Sequence, residues 1–456
     1  MEQTLQFNRT FDVVVLGAGT AGCAAALAAA DEGKRVCVVE QLGGPGGSGS
    51  LGLVTPLMST CIEGNPMCSY IGQEINGRME REGFAIHGGT VFDPVLLTFV
   101  LEEMLHERGV TMMYHTFLAD VERTENKITA AIVENKDGRG AVRGGVFIDA
   151  TGDADVCVRA GLETLHGDEE TGKNQPVSLR YVLGGIDCRA FWAFYQRFDL
   201  SARPYTPGYG SCAVTLRNNH ARPLDPVFEE AVAAGDLTVE DGLYWQCFFV
   251  PGREDCIAFN CPEFFDIHDA AANDSLCQVQ VQGKLAILRQ LKFYRKYFEG
   301  FEHATVNTVS AFVGIRESRR AVTEHVVTAE ECASHTKFPD AVCQSNYPID
   351  VHGRKLNTYA RVTRDADAPY FEVPFRALVV KGVDNLLVAG RNLGAEFMAQ
   401  SAIRIIPTCR AMGEAAGLAA AMALNEGVAL RELDGKRVHD RMTARGAHFA
   451  GMTETH

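Results

Sequence analysis

The fold is decided by residues 11–22, which read FDVVVLGAGTAG. The run opens as a continuous apolar strand, and residues 23–30 continue as an alanine-rich helix. A strand that enters a helix through GxGxxG is the fingerprint of a dinucleotide site. Gly17 permits the tight turn, Gly19 lets backbone amides approach a pyrophosphate, and Gly22 allows close packing of helix on strand. The phosphates are therefore expected at the helix N-terminus.

A second apolar run supplies the acidic residue that such sites use. Residues 35–39, RVCVV, predict a buried strand, and Glu40 closes it 18 positions beyond Gly22. A carboxylate at this spacing accepts hydrogen bonds from a ribose hydroxyl pair. The fingerprint alone is weak evidence, because glycine-rich turns also match it. The two strands, the helix and the acid together predict dinucleotide binding.

The glycine-rich stretch after this acid favours FAD over NAD. Residues 43–52 read GGPGGSGSLG, where an NAD-binding domain would usually continue with ordinary helix. Backbone without side chains can press against a flat, extended ligand. A flexible surface loop is the alternative interpretation.

Length and composition restrict the class of protein. A chain of 456 residues exceeds what one hydrophobic core usually organises, so two connected domains are expected. The net charge of −15 disfavours nucleic acid and anionic lipid as partners, and no apolar run reaches the length of a membrane span, about 18 residues. The 14 cysteines form no CxxC pair and are expected to be reduced thiols. Together these features predict a cytoplasmic protein.

Alternating and apolar runs predict a strand meander in the N-terminal third. Its strands are expected at residues 111–114, 117–123, 128–134 and 141–148. The sequence DATGD follows at residues 149–153, and a second glycine-bearing strand end, LLVAGRNL, lies more than 200 residues later at 386–393.

Three motifs besides the fingerprint carry a family resemblance. They are FIDATGDAD at 147–155, GIRESRR at 314–320, and the stretch 386–417 with LLVAGR and IRIIPTCRAMGEAAG. Over nearly its whole length the chain resembles the FAD-dependent oxidoreductases of the glutathione-reductase-type superfamily, specifically the broad bacterial FAD-dependent oxidoreductase group. The resemblance implies an α/β fold, in which a Rossmann-type FAD-binding domain contains an inserted α+β substrate domain.

The resemblance also implies which residues bind FAD. They are Gly17, Gly19, Thr20, Ala21, Gly22, Glu40, Gln41, Gly47, Leu118, Thr151, Gly152, Asp153, Gly390, Arg391, Pro407 and Thr408. Arg391 departs from the pattern, because many relatives carry an acid there; a cation is expected to contact phosphate directly. The helix at 408–424 is expected to direct its N-terminus at the pyrimidine edge of the isoalloxazine. A plain buried helix is the alternative.

The predicted domains alternate along the chain. Residues 1–165 form the first part of the FAD-binding domain, 166–369 the substrate domain, and 370–456 the second part with the C-terminal helix. Polar stretches at 167–174 and 357–368 suggest the boundaries. The active site is expected between the domains.

Arginines are the leading catalytic candidates, since flavin chemistry asks side chains to position substrate and handle charge. By resemblance Arg404 should lie nearest the flavin, with a structural cap as the alternative. In GIRESRR, a helical conformation would place Arg316 and Arg320 on one face with Arg319 beside them, able to clamp a substrate carboxylate. A salt-bridge network is an equally weighted alternative.

Other side chains are weaker candidates. His325 and His115 are candidate proton carriers, although a lone histidine is more often structural. No metal-ligand spacing such as HExxH occurs, so no metal is expected. The aromatic residues between 205 and 249 wall a substrate pocket or, more often, belong to the core.

The predicted function is an FAD-dependent dehydrogenase or reductase that transfers a hydride between a small organic substrate and FAD. No redox CxxxxC follows soon after Glu40, and no second nucleotide fingerprint occurs between residues 150 and 380, which disfavours a disulfide relay and an internal NADPH domain. The alternatives are an electron-transfer flavoprotein component, a regulatory module with unreactive FAD and, less favoured, a flavin monooxygenase. The sequence does not identify the electron donor or acceptor, and it is compatible with a homo-oligomer.

Overall fold

The computed structural model describes residues 5–58, 68–216, 222–267, 269–352 and 370–450. The strands are β1 Phe7–Thr10, β2 Val13–Leu16, β3 Val36–Val39, β4 Ala85–Ile86, β5 Val91–Phe92, β6 Thr111–Met113, β7 Phe117–Thr124, β8 Lys127–Asn135, β9 Gly138–Arg143, β10 Val146–Asp149, β11 Thr164–His166, β12 Val177–Ser178, β13 Tyr181–Gly184, β14 Ser211–Val214, β15 Trp245–Phe249, β16 Ile257–Phe259, β17 Glu263–Phe264, β18 Thr305–Val309, β19 Arg319–Ala321, β20 Ala341–Ser345, β21 Phe371–Pro374 and β22 Leu386–Val388. The helices are α1 Thr20–Asp31, α2 Tyr70–Arg81, α3 Pro94–Glu107, α4 Asp155–Arg159, α5 Cys188–Gln196, α6 Asp225–Ala233, α7 Val239–Leu243, α8 Asn273–Tyr297, α9 Ala329–Ala333, α10 Phe397–Ile403, α11 Ile406–Glu426 and α12 Gly435–Ala444.

A five-stranded parallel sheet in the order β22-β10-β2-β3-β6 holds the fingerprint. Every residue of β2 and β3 is buried, as expected for strands covered on both faces. Helix α1 connects these two strands and lies in the hydrophobic core beside them. This strand, helix, strand unit confirms the predicted α/β class with a Rossmann-like domain.

The predicted meander is partly wrong. Only β7, β8 and β9 form an antiparallel meander, which β1 extends by pairing in parallel with β9. The first predicted strand, β6, and the second half of the last predicted strand, β10, belong instead to the parallel sheet. The run at 141–148 contains two strands, because Gly144 and Gly145 interrupt it. An apolar run does not identify its pairing partner, which is why the sequence pattern misassigned both strands.

The C-terminal segment completes the N-terminal sheet. Strand β22 pairs in parallel with β10, and α11 packs along α1. A Cβ on Gly417 would lie 2.2 Å from the carbonyl oxygen of Ala25, so glycine is required for the close approach of these helices. The predicted division into three ranges stays a prediction, and its proposed boundary at 357–368 lies outside the described residues.

A second sheet with its own core lies in the middle of the chain. Its five strands are antiparallel, in the order β14-β15-β16-β13-β18. Of the predicted aromatic stretch, Trp245 and Phe249 are core residues of this unit, as are Tyr181 from β13 and Phe228 from α6. The aromatic residues of the stretch therefore divide between the core and the cavity, which Tyr244 and Phe248 line.

The hypothesis that GIRESRR is helical is wrong. Residues 319–321 form β19, which pairs in antiparallel fashion with β11. Extended backbone turns successive side chains to opposite faces, so Arg316, Arg319 and Arg320 do not form one cluster.

In the part of the chain described above, no helix is long and apolar enough to cross a membrane.

Candidate active site

One cavity of about 450 Å³ runs from the fingerprint to the edge of the antiparallel sheet. Thirteen of the sixteen residues predicted to bind FAD line it: Gly17, Gly19, Thr20, Ala21, Glu40, Gln41, Gly47, Leu118, Thr151, Gly152, Asp153, Gly390 and Arg391. These residues come from five separate stretches of sequence. The tertiary structure therefore brings most of the predicted set to one place.

Three predicted residues do not line the cavity. Gly22 is a packing residue, since a Cβ there would lie 1.9 Å from the carbonyl oxygen of Gly17. The Thr408 hydroxyl donates a 2.7 Å hydrogen bond to the carbonyl oxygen of Ile405, inside the first turn of α11. Pro407 lies in the same turn, whose cavity-facing residues are Ile405 and Ile406.

The fingerprint end fits a dinucleotide. Gly17 has a φ of +98°, and a Cβ there would lie 2.5 Å from the carbonyl oxygen of Ala150. At Gly19 a Cβ would meet only that oxygen, at 3.9 Å, so a side chain would project toward the cavity. Among the residues that the structure describes, no side chain caps the N-terminus of α1. A glycine cradle before an uncapped helix start suits a pyrophosphate.

Glu40 is held by the backbone beside this cradle. Its carboxylate accepts hydrogen bonds from Ala18 N at 2.7 Å and from Leu42 N at 2.8 Å. Burial raises the pKa of Glu40, while these amide donors act in the opposite direction. Each carboxylate oxygen has a second lone pair, so the fixed group can also accept from ribose hydroxyls.

Arg391 ties two strand ends together. Its guanidinium donates to the carbonyl oxygens of Gly152 at 2.8 Å and Ile315 at 3.1 Å, and it pairs with Asp153 at 2.6 Å. The side chain is thus engaged within the protein. Direct contact with phosphate stays a prediction, and the observed role is to hold Gly152 and Asp153 at the cavity.

An ion chain lies at the opposite end of the cavity, and we define it as Arg316, Glu263, His352, Asp350 and Arg404, all of which line the cavity except the buried Glu263. Arg316 Nη2 lies 2.7 Å from Glu263 Oε1, and His352 Nδ1 lies 2.9 Å from the same oxygen. His352 Nε2 is 3.4 Å from Asp350 Oδ2, and Arg404 donates to the Asp350 carbonyl oxygen at 3.2 Å. Two of the predicted arginines, Arg316 and Arg404, therefore belong to one partly buried network of alternating charge.

Burial and the neighbouring charges shift the pKa values of Asp350 and His352 in opposite directions. Burial would raise the pKa of Asp350, but its hydrogen bond with His352 and the nearby charges of His352 and Arg404 hold it well below the usual range. Burial would lower the pKa of His352, but the carboxylates of Glu263 and Asp350 raise it. Burial lowers the pKa of Arg404. The ion chain thus favours the imidazolium form of His352, held between the carboxylates of Glu263 and Asp350.

Arg319 and His325 lie outside the cavity, which corrects their prediction as catalytic residues. Arg319 pairs with Asp155 at 2.6 Å. His325 lies 3.1 Å from Glu331, which belongs to the capping box of α9. His115 does not line the cavity either. The extended conformation of residues 319–321 explains the loss of Arg319, because it separates that side chain from Arg316.

Several cavity residues were missed by sequence reasoning. They are Ser178, Arg180, Gln246, Asn260, Tyr347, Asp350 and His352. A usable signal exists in residues 347–352, YPIDVH, where buried Ile349 and Val351 alternate with Asp350 and His352. Two charged side chains alternating with core residues indicate an extended segment with a polar face.

A Rossmann-like glycine cradle that opens into a cavity with convergent polar groups is typical of an enzyme that uses a dinucleotide cofactor. The model of the FAD dependent oxidoreductase family matches residues 12–442, and the chain belongs to this family. It is an enzyme with FAD as its cofactor. A comparison with curated protein sequences gave no significant match.

Solved structures of three other proteins resemble the chain at low identity. A geranylgeranyl bacteriochlorophyll reductase-like protein from Thermoplasma acidophilum is 12% identical, with 96% of this chain and 85% of that chain covered and a TM-score of 0.46. A triple mutant of the flavin-dependent brominase Bmp2 is 12% identical, with coverages of 95% and 84% and a TM-score of 0.48. A p-nitrophenol 4-monooxygenase from Pseudomonas putida DLL-E4 is 11% identical, with coverages of 96% and 87% and a TM-score of 0.45.

Proposed function

We propose that this enzyme transfers a hydride between bound FAD and a small organic substrate held at the ion-chain end of the cavity. One observation carries the proposal: the fingerprint around Gly17 and the ion chain around His352 line the same cavity. A dinucleotide anchored at the fingerprint would extend toward the ion chain. Convergent polar groups at one end of a partly apolar cavity are typical of a substrate site.

When bound, FAD supplies a two-electron carrier that accepts or donates a hydride. The chain contributes a second uncapped helix start, that of α11, at which Ile405 and Ile406 border the cavity. Free amides and the positive end of a helix dipole stabilise negative charge. This helix end therefore supports a cavity that gains negative charge when electrons arrive.

His352 is the best-placed proton carrier. Oxidation of a CH–OH group releases a hydride from carbon and a proton from oxygen, and reduction of the carbonyl returns both. The imidazole lines the cavity and lies between the carboxylates of Glu263 and Asp350, which raise its pKa. Its Nε2, 3.4 Å from Asp350 Oδ2, is the more loosely held ring nitrogen, and through it the imidazole would donate a proton in the reductive direction and receive one in the oxidative direction.

Two tyrosines stand beside this histidine. The ring centroids of Tyr244 and His352 are 4.7 Å apart, and the hydroxyl of Tyr347 donates to Asp350 at 2.8 Å. Both tyrosines line the cavity. They provide an apolar wall with hydroxyl groups that orient the ion chain.

The test is an anaerobic screen of the yellow holoenzyme. Alcohols, amines and hydroxy acids are added one at a time, and the flavin absorbance band is followed. We expect one class of compound to bleach the band, and H352Q to slow that bleaching by about 100-fold while keeping FAD. R197Q is the matched control, because Arg197 is exposed and pairs with Glu299 on the surface.

The same experiment distinguishes the electron-transfer alternative. If no compound bleaches the band, the chemically reduced enzyme is mixed anaerobically with carbonyl compounds and with one-electron acceptor dyes. Reoxidation by a carbonyl compound supports the proposal in the reductive direction. Reoxidation by dyes alone would overturn it in favour of an electron-transfer component.

A further inference from the structure

Arg180 stands apart from the other arginines of the cavity. Arg316 pairs with Glu263, Arg391 pairs with Asp153, and Arg404 lies 3.6 Å from Asp350. The side chain of Arg180 lines the same cavity, and within the described ranges it makes no ion pair or hydrogen bond. A partly buried guanidinium without an internal partner is a candidate for binding an external anion.

The local backbone explains why Arg180 faces the cavity. Residues 177–183 are extended, and alternate side chains enter opposite environments. Leu179 and Tyr181 belong to the core of the antiparallel sheet. Ser178 and Arg180 lie on the other face and line the cavity. The core residues on both sides therefore hold the direction of Arg180.

Arg180 begins a row of polar side chains across three strands. Tyr181 pairs with Phe259, and Phe259 pairs with Cys247. One residue further along each strand stand Arg180, Asn260 and Gln246, all of which line the cavity. The Asn260 amide nitrogen donates to the Gln246 carbonyl oxygen at 2.8 Å, which confirms this register.

The row presents donors to the cavity. Gln246 Oε1 accepts from the Tyr244 hydroxyl at 2.8 Å and from Asn260 Nδ2 at 3.2 Å. Its acceptor is thereby used, and its Nε2 donor has no partner within the described ranges. This donor and the Arg180 guanidinium belong to the same row. Acidic side chains are absent from the row itself.

The charge surroundings of Arg180 also call for an anion. Burial and the neighbouring Arg316 lower the pKa of Arg180 to about 9, so the group stays cationic at neutral pH. The carboxylate of Glu263, which acts on Arg180 electrostatically, is already shared by Arg316 and His352. An incoming carboxylate would supply the missing negative charge.

We propose that Arg180, assisted by the amide of Gln246, binds a carboxylate of the substrate, so that the enzyme acts on small organic acids. This inference rests on the proposed function and names its substrate class. The earlier expectation of a carboxylate clamp is thereby moved from Arg316 to Arg180, because Arg316 is neutralised by Glu263. The carboxylate would lie at the sheet edge, with the reacting carbon between it and His352.

The test measures binding and needs no turnover. Benzoate and acetate are titrated into the oxidised holoenzyme, each beside its neutral amide, benzamide or acetamide, and the shift of the flavin absorbance band gives Kd. We expect the carboxylates to perturb the band and to bind about 10- to 100-fold more tightly than the amides, as one charge-assisted contact predicts. Equal binding of acid and amide, or no perturbation by the acids, would overturn the inference.

Variants locate the effect. R180Q should weaken benzoate about 10- to 100-fold and leave benzamide unchanged, R180K should lose less, and the surface control R197Q should bind both probes like the wild type. An R180Q protein that cannot retain FAD would assign Arg180 to the cofactor and overturn the inference. If R180Q does not fold, the acid-to-amide ratio of R180K and the wild type decides, and an unchanged ratio in R180K is a negative result.

Failure of the inference and failure of the proposed function give different results. If the proposed hydride transfer is wrong, the reduced flavin will be reoxidised by dyes alone, while carboxylate binding through Arg180 stays intact. If the carboxylate inference is wrong, carboxylates will bind equally well to R180Q and the wild type, and a neutral compound will bleach the flavin.

Discussion

Gly413 of α11 lies directly against the carbonyl oxygen of Ala21 in α1, and a Cβ on Gly413 would lie 2.1 Å from that oxygen. The two helices come from opposite ends of the chain. Ala21 belongs to the first turn of α1 and lines the cavity. The contact therefore couples the C-terminal helix to the position of the dinucleotide cradle.

The first prediction concerns this contact. G413A should destabilise the protein by about 1–3 kcal/mol, because the added methyl group forces the helices apart. The substitution should also weaken FAD binding, since α1 must shift. Chemical denaturation and FAD titration measure the two effects. G77A is the control: a Cβ there would meet only the end of Arg81 at 3.4 Å, so it should be neutral or stabilising by up to about 1 kcal/mol. Equal stability of both variants would contradict the prediction.

The second prediction concerns the acid at the end of β3. E40Q should weaken the affinity for FAD roughly tenfold, because a neutral amide replaces a charged acceptor. The NH2 group of the glutamine side chain would also face a backbone N–H donor, because Ala18 N and Leu42 N both donate to the carboxylate of Glu40. Rebinding of FAD to the stripped protein measures the change. E134Q, on the exposed meander, should bind FAD normally, and an E40Q value equal to it would refute the role of Glu40.

The third prediction compares a buried ion pair with a partly exposed one. E263Q leaves Arg316 without its carboxylate in a buried position and should cost about 3–5 kcal/mol of unfolding free energy. D155N removes the partner of Arg319, whose side chain is 23% exposed, and should cost about 1 kcal/mol or less. Urea denaturation measures both. A larger loss in D155N than in E263Q would show that the burial argument is wrong.

The fourth prediction concerns pH. The pKa of His352 is raised in the folded protein, above its ordinary value of 6.5. Protonation of this group therefore stabilises the fold fully below pH 6.5 and progressively less as the pH rises through the raised pKa. The difference in Tm between the wild type and H352Q should be largest near pH 6 and shrink toward about pH 9. Thermal unfolding across this range measures it.

The control for this experiment is H303Q, since His303 is exposed. The Tm difference between H303Q and the wild type should be small and should not follow the H352Q trend. A difference between the wild type and H352Q that stays constant or grows with pH would mean that the histidine is not held as a cation.

The fingerprint illustrates what local sequence can predict. Gly17, Gly19 and Glu40 have roles that depend on backbone geometry within one strand, turn, helix, strand unit, so spacing alone indicated them. The same holds for α11, whose bounds Ile406–Glu426 closely match the predicted helix at 408–424. Its end also follows from local chemistry, because Gly427 adopts a φ of +68° at the C-cap.

The sequence by itself therefore determined the family and the cofactor, because each motif that indicates them is built from residues close together in the chain. Only the tertiary structure decided that β6 and β10 join the parallel sheet, that Arg319 pairs with Asp155 outside the cavity, and that His352 of the cavity lining meets the buried Glu263. Strand pairing and charge pairing join residues tens to hundreds of positions apart. Their energies depend on burial and direction, which no local pattern of side chains encodes.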